Sequence, residues 1–468
     1  MKNLFLVAFA GCLLLSILSS CKKDSFITSP GARLRISADS IKFDTVFTST
    51  GSVTQSFKIV NENDQRLRLS SIKLMGGMGS RFKLNINGTA GPQLSDVEIA
   101  ANDSIYVFVS VTVNPSVANL PFIISDSISV QYNGNQRWVQ LEAYGQNANF
   151  LRDEILLSNT TWTTNLPFVI LGSLLVAADV TLTINPGVKI YAHADAPFVV
   201  DGTLIANGTV SNKVMFTGDR LDEPYRNFPA SWPGIFFRRS SKNNILQFTE
   251  IKNAYQALVV LEPASNASPK LELRQCIIDN AFNAGIFATN SSVRASNVLV
   301  SNCANNIFIE KGGNYSFTHC TVASYSNNFL LHKTPVLSLA NFAPSSGNPV
   351  TQNLQAIFTN SIFWGDNGFV ENEIVVNKQG STIFDVQFLN CLYRANVDPP
   401  NATIVASIKN IDPIFDSIDV TAPIYNFRHN GTALAPGINK GLSTSTSVDL
   451  DNKPRPVGLP DLGCYEKQ

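Results

Sequence analysis

Charge and histidine are what this sequence has least of. Only 15% of its 468 residues are charged, 35 basic side chains offset 35 acidic ones, and four residues are histidine. Zero formal net charge argues against a nucleic-acid partner, which needs a basic face to neutralise phosphates. The histidines stand apart at 193, 319, 332 and 429, and the seven cysteines form no Cys-x-x-Cys. Zinc and haem spacings are therefore absent, and neither a metal nor a cofactor is expected. Five cysteines (276, 303, 320, 391 and 464) follow the first two at wide spacing. That odd remainder is not a disulfide framework. Helical periodicity is missing as well, while 44% of residues are hydrophobic and 30 are Phe. Apolar material without helical pattern points to an all-β chain with a long core.

The N-terminus carries the sharpest local signal. Lys2 precedes an apolar stretch, Leu4 to Leu18, whose length suits a signal-peptide core and falls short of a comfortable membrane span. It runs into Leu18-Ser19-Ser20-Cys21, which resembles a lipobox. The resemblance implies cleavage before Cys21 and lipidation of its thiol. Residues 1–20 would be a lipoprotein signal peptide and 21–33 a lipidated tether. The expected partner is a membrane, reached through lipid on Cys21, with the outer membrane of a Gram-negative bacterium as the site. A second apolar stretch, Leu166 to Ile184, contains Asp179 and alternates with period two at Val180-Thr181-Leu182-Thr183-Ile184, so it reads as strands.

Residues 34–147 show short alternating strands such as Ser56-Phe57-Lys58-Ile59-Val60, separated by turn residues such as Asn133-Gly134. This pattern suggests an immunoglobulin-like β-sandwich and resembles the sandwich modules that follow the anchor in many surface lipoproteins. Residues 150–466 repeat. Leu273-Arg274-Gln275-Cys276, Ala295-Ser296-Asn297-Val298 and Phe317-Thr318-His319-Cys320 start 22 residues apart, and the frame recurs from Phe248, Phe358 and Phe388. Repeats of this size without helices indicate a β-solenoid. One inward ladder is expected to run Phe248, Leu273, Ala295, Phe317, Phe358, Phe388. A second takes in Ile251, Cys276, Val298, Cys320, Ser361 and Cys391, which makes the cysteines small core residues. A polar ladder of Glu250, Gln275, Asn297, His319, Asn360 and Asn390 should satisfy turn backbone at a corner.

The order Leu182-Thr183-Ile184-Asn185-Pro186-Gly187, Asp201-Gly202-Thr203-Leu204, Trp232-Pro233-Gly234-Ile235 is similar to bacterial right-handed parallel β-helix repeat proteins. Asp412-Pro413-Ile414-Phe415, Ala435-Pro436-Gly437, Asp449-Leu450-Asp451-Asn452 and Asp461-Leu462-Gly463-Cys464-Tyr465-Glu466 resemble the closing segment of the choice-of-anchor Q group, with Cys464 the departure. The resemblance implies a right-handed parallel β-helix over 150–466 in which 412–466 caps the last coil. It implies no single activity, since this fold hosts lyases, hydrolases, adhesins and spacers.

Chemistry is thinly signalled. A glycosidase needs two carboxylates across a groove, and no Asp or Glu pair recurs at the repeat spacing. The outward positions read as mostly Ser, Thr, Asn, Ala and Arg. Two insertions, Gly218 to Pro233 and Thr334 to Asn353, are where such a scaffold would place function. The first holds Asp219, Asp222 and Glu223, the candidate residues if the chain is a polysaccharide lyase or glycoside hydrolase. No catalytic residue is otherwise assigned. The favoured expectation is a surface protein that binds or displays without turnover, with a polysaccharide or glycan as its ligand.

Overall fold

A computed structural model describes residues 25–47, 54–113, 122–223, 225–343, 350–366, 368–421, 424–430, 434–455 and 458–468. The signal segment and Cys21 lie outside these. The chain divides into two compact units, 1–147 and 148–468. No described residue is α-helical, and no described helix is long and apolar enough to cross a membrane.

The first unit holds two five-stranded sheets. One runs Leu34–Ile36, Gln55–Asn61, Ser104–Val111, Phe82–Ile86, Thr89–Ala90. The other runs Ser40–Phe47, Asn135–Gln146, Phe122–Tyr132, Leu67–Leu74, Gln93–Ile99. Alternation sends Phe57, Ile59, Val107 and Val109 from the first and Leu69, Ile72, Val130 and Val139 from the second into one core. Two Asp-Ser pairs open or brace strands here: Asp103 accepts the amide of Ser104 and Asp126 that of Ser127, each at 2.7 Å.

The second unit holds a 26-stranded sheet whose strands pair in parallel from coil to coil, consistent with a β-helical solenoid, and an antiparallel pair, Phe415–Asp419 with Ile424–His429. Three columns of strands result. The first passes through Lys189–Ala192, Val214–Gly218, Thr249–Lys252 and Ile277–Asp279 to Ile408–Lys409. The second passes through Phe198–Val200, Ile235–Phe237 and Gln256–Leu261. The third passes through Thr203–Asn207, Asn244–Gln247 and Leu271–Arg274. Inward rungs from all three fill a continuous core in which Phe317, Phe358 and Phe388 stack at 5.3 and 4.9 Å.

The register expected around Leu273, Ala295 and Phe317 is the one observed. Its start is not. Leu246, not Phe248, pairs with Leu273, which puts Thr249 rather than Ile251 before Cys276 and Phe248 rather than Glu250 before Gln275. Phe248, Gln275, Asn297, His319, Asn360 and Asn390 all adopt positive φ, from 42 to 52°. A Phe therefore opens the corner row that Asn favours for its tolerance of this conformation. The five cysteines are buried and free, and burial pushes the Cys276 and Cys391 thiols up to about 12.

The corner row does more than satisfy its own turns. Asn297 donates to the Val448 carbonyl at 2.6 Å, Asn360 exchanges bonds with the amide and carbonyl of Leu442, each at 2.8 Å, and Asn390 donates to Lys440. The closing segment thus lies along the flank of the strand columns as a strap, where a cap over the last coil had been expected. Under it, Leu299, Ala323, Ile362, Trp364 and Leu392 meet Phe415, Phe427 and Leu462 in a second apolar layer. Its Asp449, Arg455, Asp461 and Glu466 form a nucleus of their own. Arg455 and Glu466 pair at 2.7 Å with no exposure, and Asp449 accepts the Glu466 amide. That network ties the two ends of the closing segment to each other.

Candidate ligand-binding trough

The second strand column differs from the others on its outer side. Val199, Phe236, Val259, Phe287, Phe308 and Ser338 are successive register partners, each flanked by inward residues. The runs Ile235-Phe236-Phe237, Leu258-Val259-Val260 and Ile307-Phe308-Ile309 are apolar on both faces, as in sheets covered on both sides. Here the outer row stays half-buried except for Val259, which is buried. Phe287 and Phe308 lie 5.8 Å apart with planes 12° from parallel. From Val199 to Phe308 the outward positions of this column are thus apolar, against the expectation of Ser, Thr, Asn, Ala and Arg, and Ser338 alone in the row fits it. The reading missed them because an outward Phe inside an apolar run looks like core.

Both ends of these strands carry polar or aromatic groups. At the entry, Tyr255 and Phe282 stack at 5.8 Å while remaining 45% and 48% exposed. Beside them Gln256 donates to Asn283 Oδ1, and Asn305 donates to the Asn283 carbonyl, each at 2.9 Å. At the exit an open cleft of about 790 Å³ is lined by Asp201, Arg238, Arg239, Ser240, Glu262 and Ser265. Arg238 pairs with Asp201, and Lys270, fully buried beneath, donates to the carbonyls of Arg238, Arg239 and Leu261. That ammonium fixes the exit turns. The apolar row is thus flanked by amide and aromatic groups at one end of its strands and by charged groups at the other. Stacking faces next to fixed hydrogen-bonding groups suit a ligand with apolar ring faces and polar edges.

The three acidic candidates do not converge. Asp219 bonds His193 Nδ1 at 2.7 Å, Asp222 pairs with Arg220 at 2.8 Å, and Glu223 pairs with Arg226 at the surface. Burial pushes the Asp219 carboxyl above the ordinary carboxylate range, opposed by its bond to His193, and its second oxygen has no partner. The His193 ring is half-exposed. The second insertion also differs from expectation: Leu337–Ala340 within it is a strand of the second column. The loop ahead of it reaches the first insertion through Phe228 and Phe329, 5.0 Å apart.

One buried network was not foreseen. Glu373, without exposure, faces His332 Nε2 at 3.0 Å and Arg394 at 3.3 Å, and Arg394 donates to the Asp366 carbonyl at 2.6 Å. Its members come from three separate loops 21 residues or more apart, so no local motif announces it. Both Glu373 and His332 are closed to solvent, which makes the network a brace. Two aromatics of the later coils are buried, Trp364 beneath the strap and Tyr393 in the core. No group of three or more His, Cys, Asp or Glu fit to hold a metal ion occurs among the described residues.

No protein-family model matches the chain, and no curated protein does. Partial likenesses to solved structures exist. A protein of unknown function from Porphyromonas gingivalis W83 is 14% identical with a TM-score of 0.19, over 27% of this chain and 50% of that one. A PapD-like domain of human CEP192 is 9% identical with a TM-score of 0.18, over 26% of this chain and 89% of that domain. A family 123 glycoside hydrolase from Clostridium perfringens is 10% identical with a TM-score of 0.17, over 24% of this chain and 26% of that one. Likenesses of this size carry no argument about function.

Proposed function

We propose that this chain is a lipid-anchored protein of the bacterial envelope whose right-handed parallel β-helix binds a glycan in the trough without turning it over. The outer row Phe236, Val259, Phe287, Phe308, with stacked Tyr255 and Phe282 on its rim, is the observation that carries this reading. Sugar rings have apolar faces that stack on aromatic rings and hydroxyl edges that bond amides such as Gln256 and Asn305. Leu18-Ser19-Ser20-Cys21 supports the anchor, with acyl chains on Cys21 holding the chain to the outer membrane. In this reading the first unit is an immunoglobulin-like sandwich between anchor and β-helix.

His193 and Asp219 favour a second reading. A half-exposed imidazole oriented by a partly buried carboxylate is the arrangement of a general base, and it would serve a polysaccharide lyase or hydrolase. One experiment separates the two. The purified full chain in detergent is run on native gels containing a panel of polysaccharides, and the same mixtures are assayed for new reducing or unsaturated ends. Binding without new ends, weakened about tenfold by Phe287→Ala with Phe308→Ala, fits the trough. Asp219→Asn, Asp222→Asn and Glu223→Gln together should leave it unchanged. New chain ends that disappear in this triple variant, while it stays folded, establish the enzyme instead.

A further inference from the structure

The first unit carries a separate aromatic surface. Strand Ser104–Val111 buries Ile105, Val107 and Val109 and turns Tyr106 and Phe108 outward, 42% and 40% exposed. Their rings lie 5.7 Å apart and within 15° of parallel. Neighbouring strands put Lys58 opposite Tyr106, both Ser56 and Asn85 opposite Phe108, and Lys83 opposite Ser110. The Lys58 ammonium sits 4.8 Å above the Tyr106 ring. Outward rungs of the three central strands thus bear two rings, a hydroxyl and amide border, and two ammonium groups, with no carboxylate among them.

Large aromatics side by side on an open sheet face gain nothing from exposure, since alternation would place polar residues there equally well. The rings stand on an outer sheet face, which suits a surface-lying chain better than a small ligand. On the three central strands the charge is of one sign, and Glu62, next along the outward row, is paired with Arg35 at the edge. We propose that this face binds an acidic polysaccharide, one bearing carboxylate or sulfate groups. Sugar faces would stack on Tyr106 and Phe108, while Lys58 and Lys83 meet the anionic substituents. The zero net charge of the whole chain argues that the selectivity is local and not a general attraction to polyanions. This face lies in the other compact unit from the trough, so the inference does not rest on the trough reading.

The test uses the full chain in native gels containing polygalacturonate, with its fully methyl-esterified form as a neutral twin of the same backbone. Wild-type protein should be retarded more by the acid than by the ester. Tyr106→Ala with Phe108→Ala should weaken retention on the acid about tenfold while the chain stays folded, because both side chains point away from the core. Lys58→Gln with Lys83→Gln keeps the rings and should erase the preference for acid over ester. Phe287→Ala with Phe308→Ala should leave acid retention as it was. Equal retention on acid and ester in the wild type, or full retention in the Tyr106/Phe108 variant, overturns the proposal. Loss of acid retention only in the Phe287/Phe308 variant assigns the glycan to the trough and overturns the proposal while the trough reading stands.

Discussion

Acid should loosen the strap, and His319 sets the size of the effect. Its Nδ1 lies 3.1 Å from the Asp461 carbonyl and its Nε2 3.0 Å from Asn360 Nδ2. A carbonyl only accepts and an amide nitrogen only donates, so Nδ1 carries the proton and Nε2 must stay bare. Asn360 cannot turn to oblige a second proton, because its oxygen and nitrogen already bond the amide and carbonyl of Leu442. Burial, with the Arg455 guanidinium nearby, holds the imidazole down at about 3, from an ordinary 6.5. The unfolded ring therefore takes up a proton between these values and the folded ring does not. The stabilisation is complete above pH 6.5 and drains away as pH falls toward 3. On that linkage about 2 kcal/mol is gone at about pH 5 and about 5 kcal/mol below pH 3. Urea unfolding at about pH 7.5, 6 and 5 measures the loss. His319→Asn, which copies the neighbouring rungs Asn297 and Asn360, should lower stability at neutral pH yet remove about 2 kcal/mol of the acid dependence. His429 bonds the Leu462 carbonyl at 2.8 Å and is also depressed by burial, so it contributes acid loss of its own. The difference between wild type and variant is thus the deciding quantity. Hydrogen exchange at the amides of Gly463 and Cys464, bonded to Asn360 and Thr321, should rise over the same pH range. An identical acid slope in wild type and His319→Asn refutes the argument.

Two more outcomes follow from the packing. Lys270→Met deprives three carbonyls of one shared donor; it should cost about 3 kcal/mol in chemical denaturation, and a loss near zero would mean the exit turns are held by something else. Cysteines 276, 303, 320, 391 and 464 should resist thiol reagents in the native state and all react in denaturant without reductant, because the Val298 rung separates Cys276 from Cys320 and burial raises every thiol. A Cys276–Cys320 bridge found by mass spectrometry would break the register.

Legibility followed the insertions. Between Leu273 and Phe317 the coils carry no extra loop, and their 22-residue spacing gives the pairing directly. The coil ahead of them holds the turn around Pro263 to Ser268, which stretches the spacing, and Phe248 imitates an inward rung while standing at the corner. The amide row was visible because Asn recurs at positive φ. Its acceptors were not, since Val448 lies 151 residues beyond Asn297. The three acidic residues shared one loop in sequence, but each found a different basic partner. Proximity along the chain said nothing about where their oxygens would turn. The trough was hidden by the same apolar runs that made the core easy to see, since a two-sided run does not reveal which side is covered.

A stack of coils in which each touches only its neighbours can fray rung by rung, like a zipper opened from its end. The strap changes that for part of this chain. It ties rungs from Asn297 to Asn390 to a single stretch, 440–464, that follows all of them in sequence. Those coils must open together or not at all, and the strap has nothing to grip until they exist. Assembly acquires a direction: a coil misplaced between Asn297 and Asn390 would break the row of amides the strap reads.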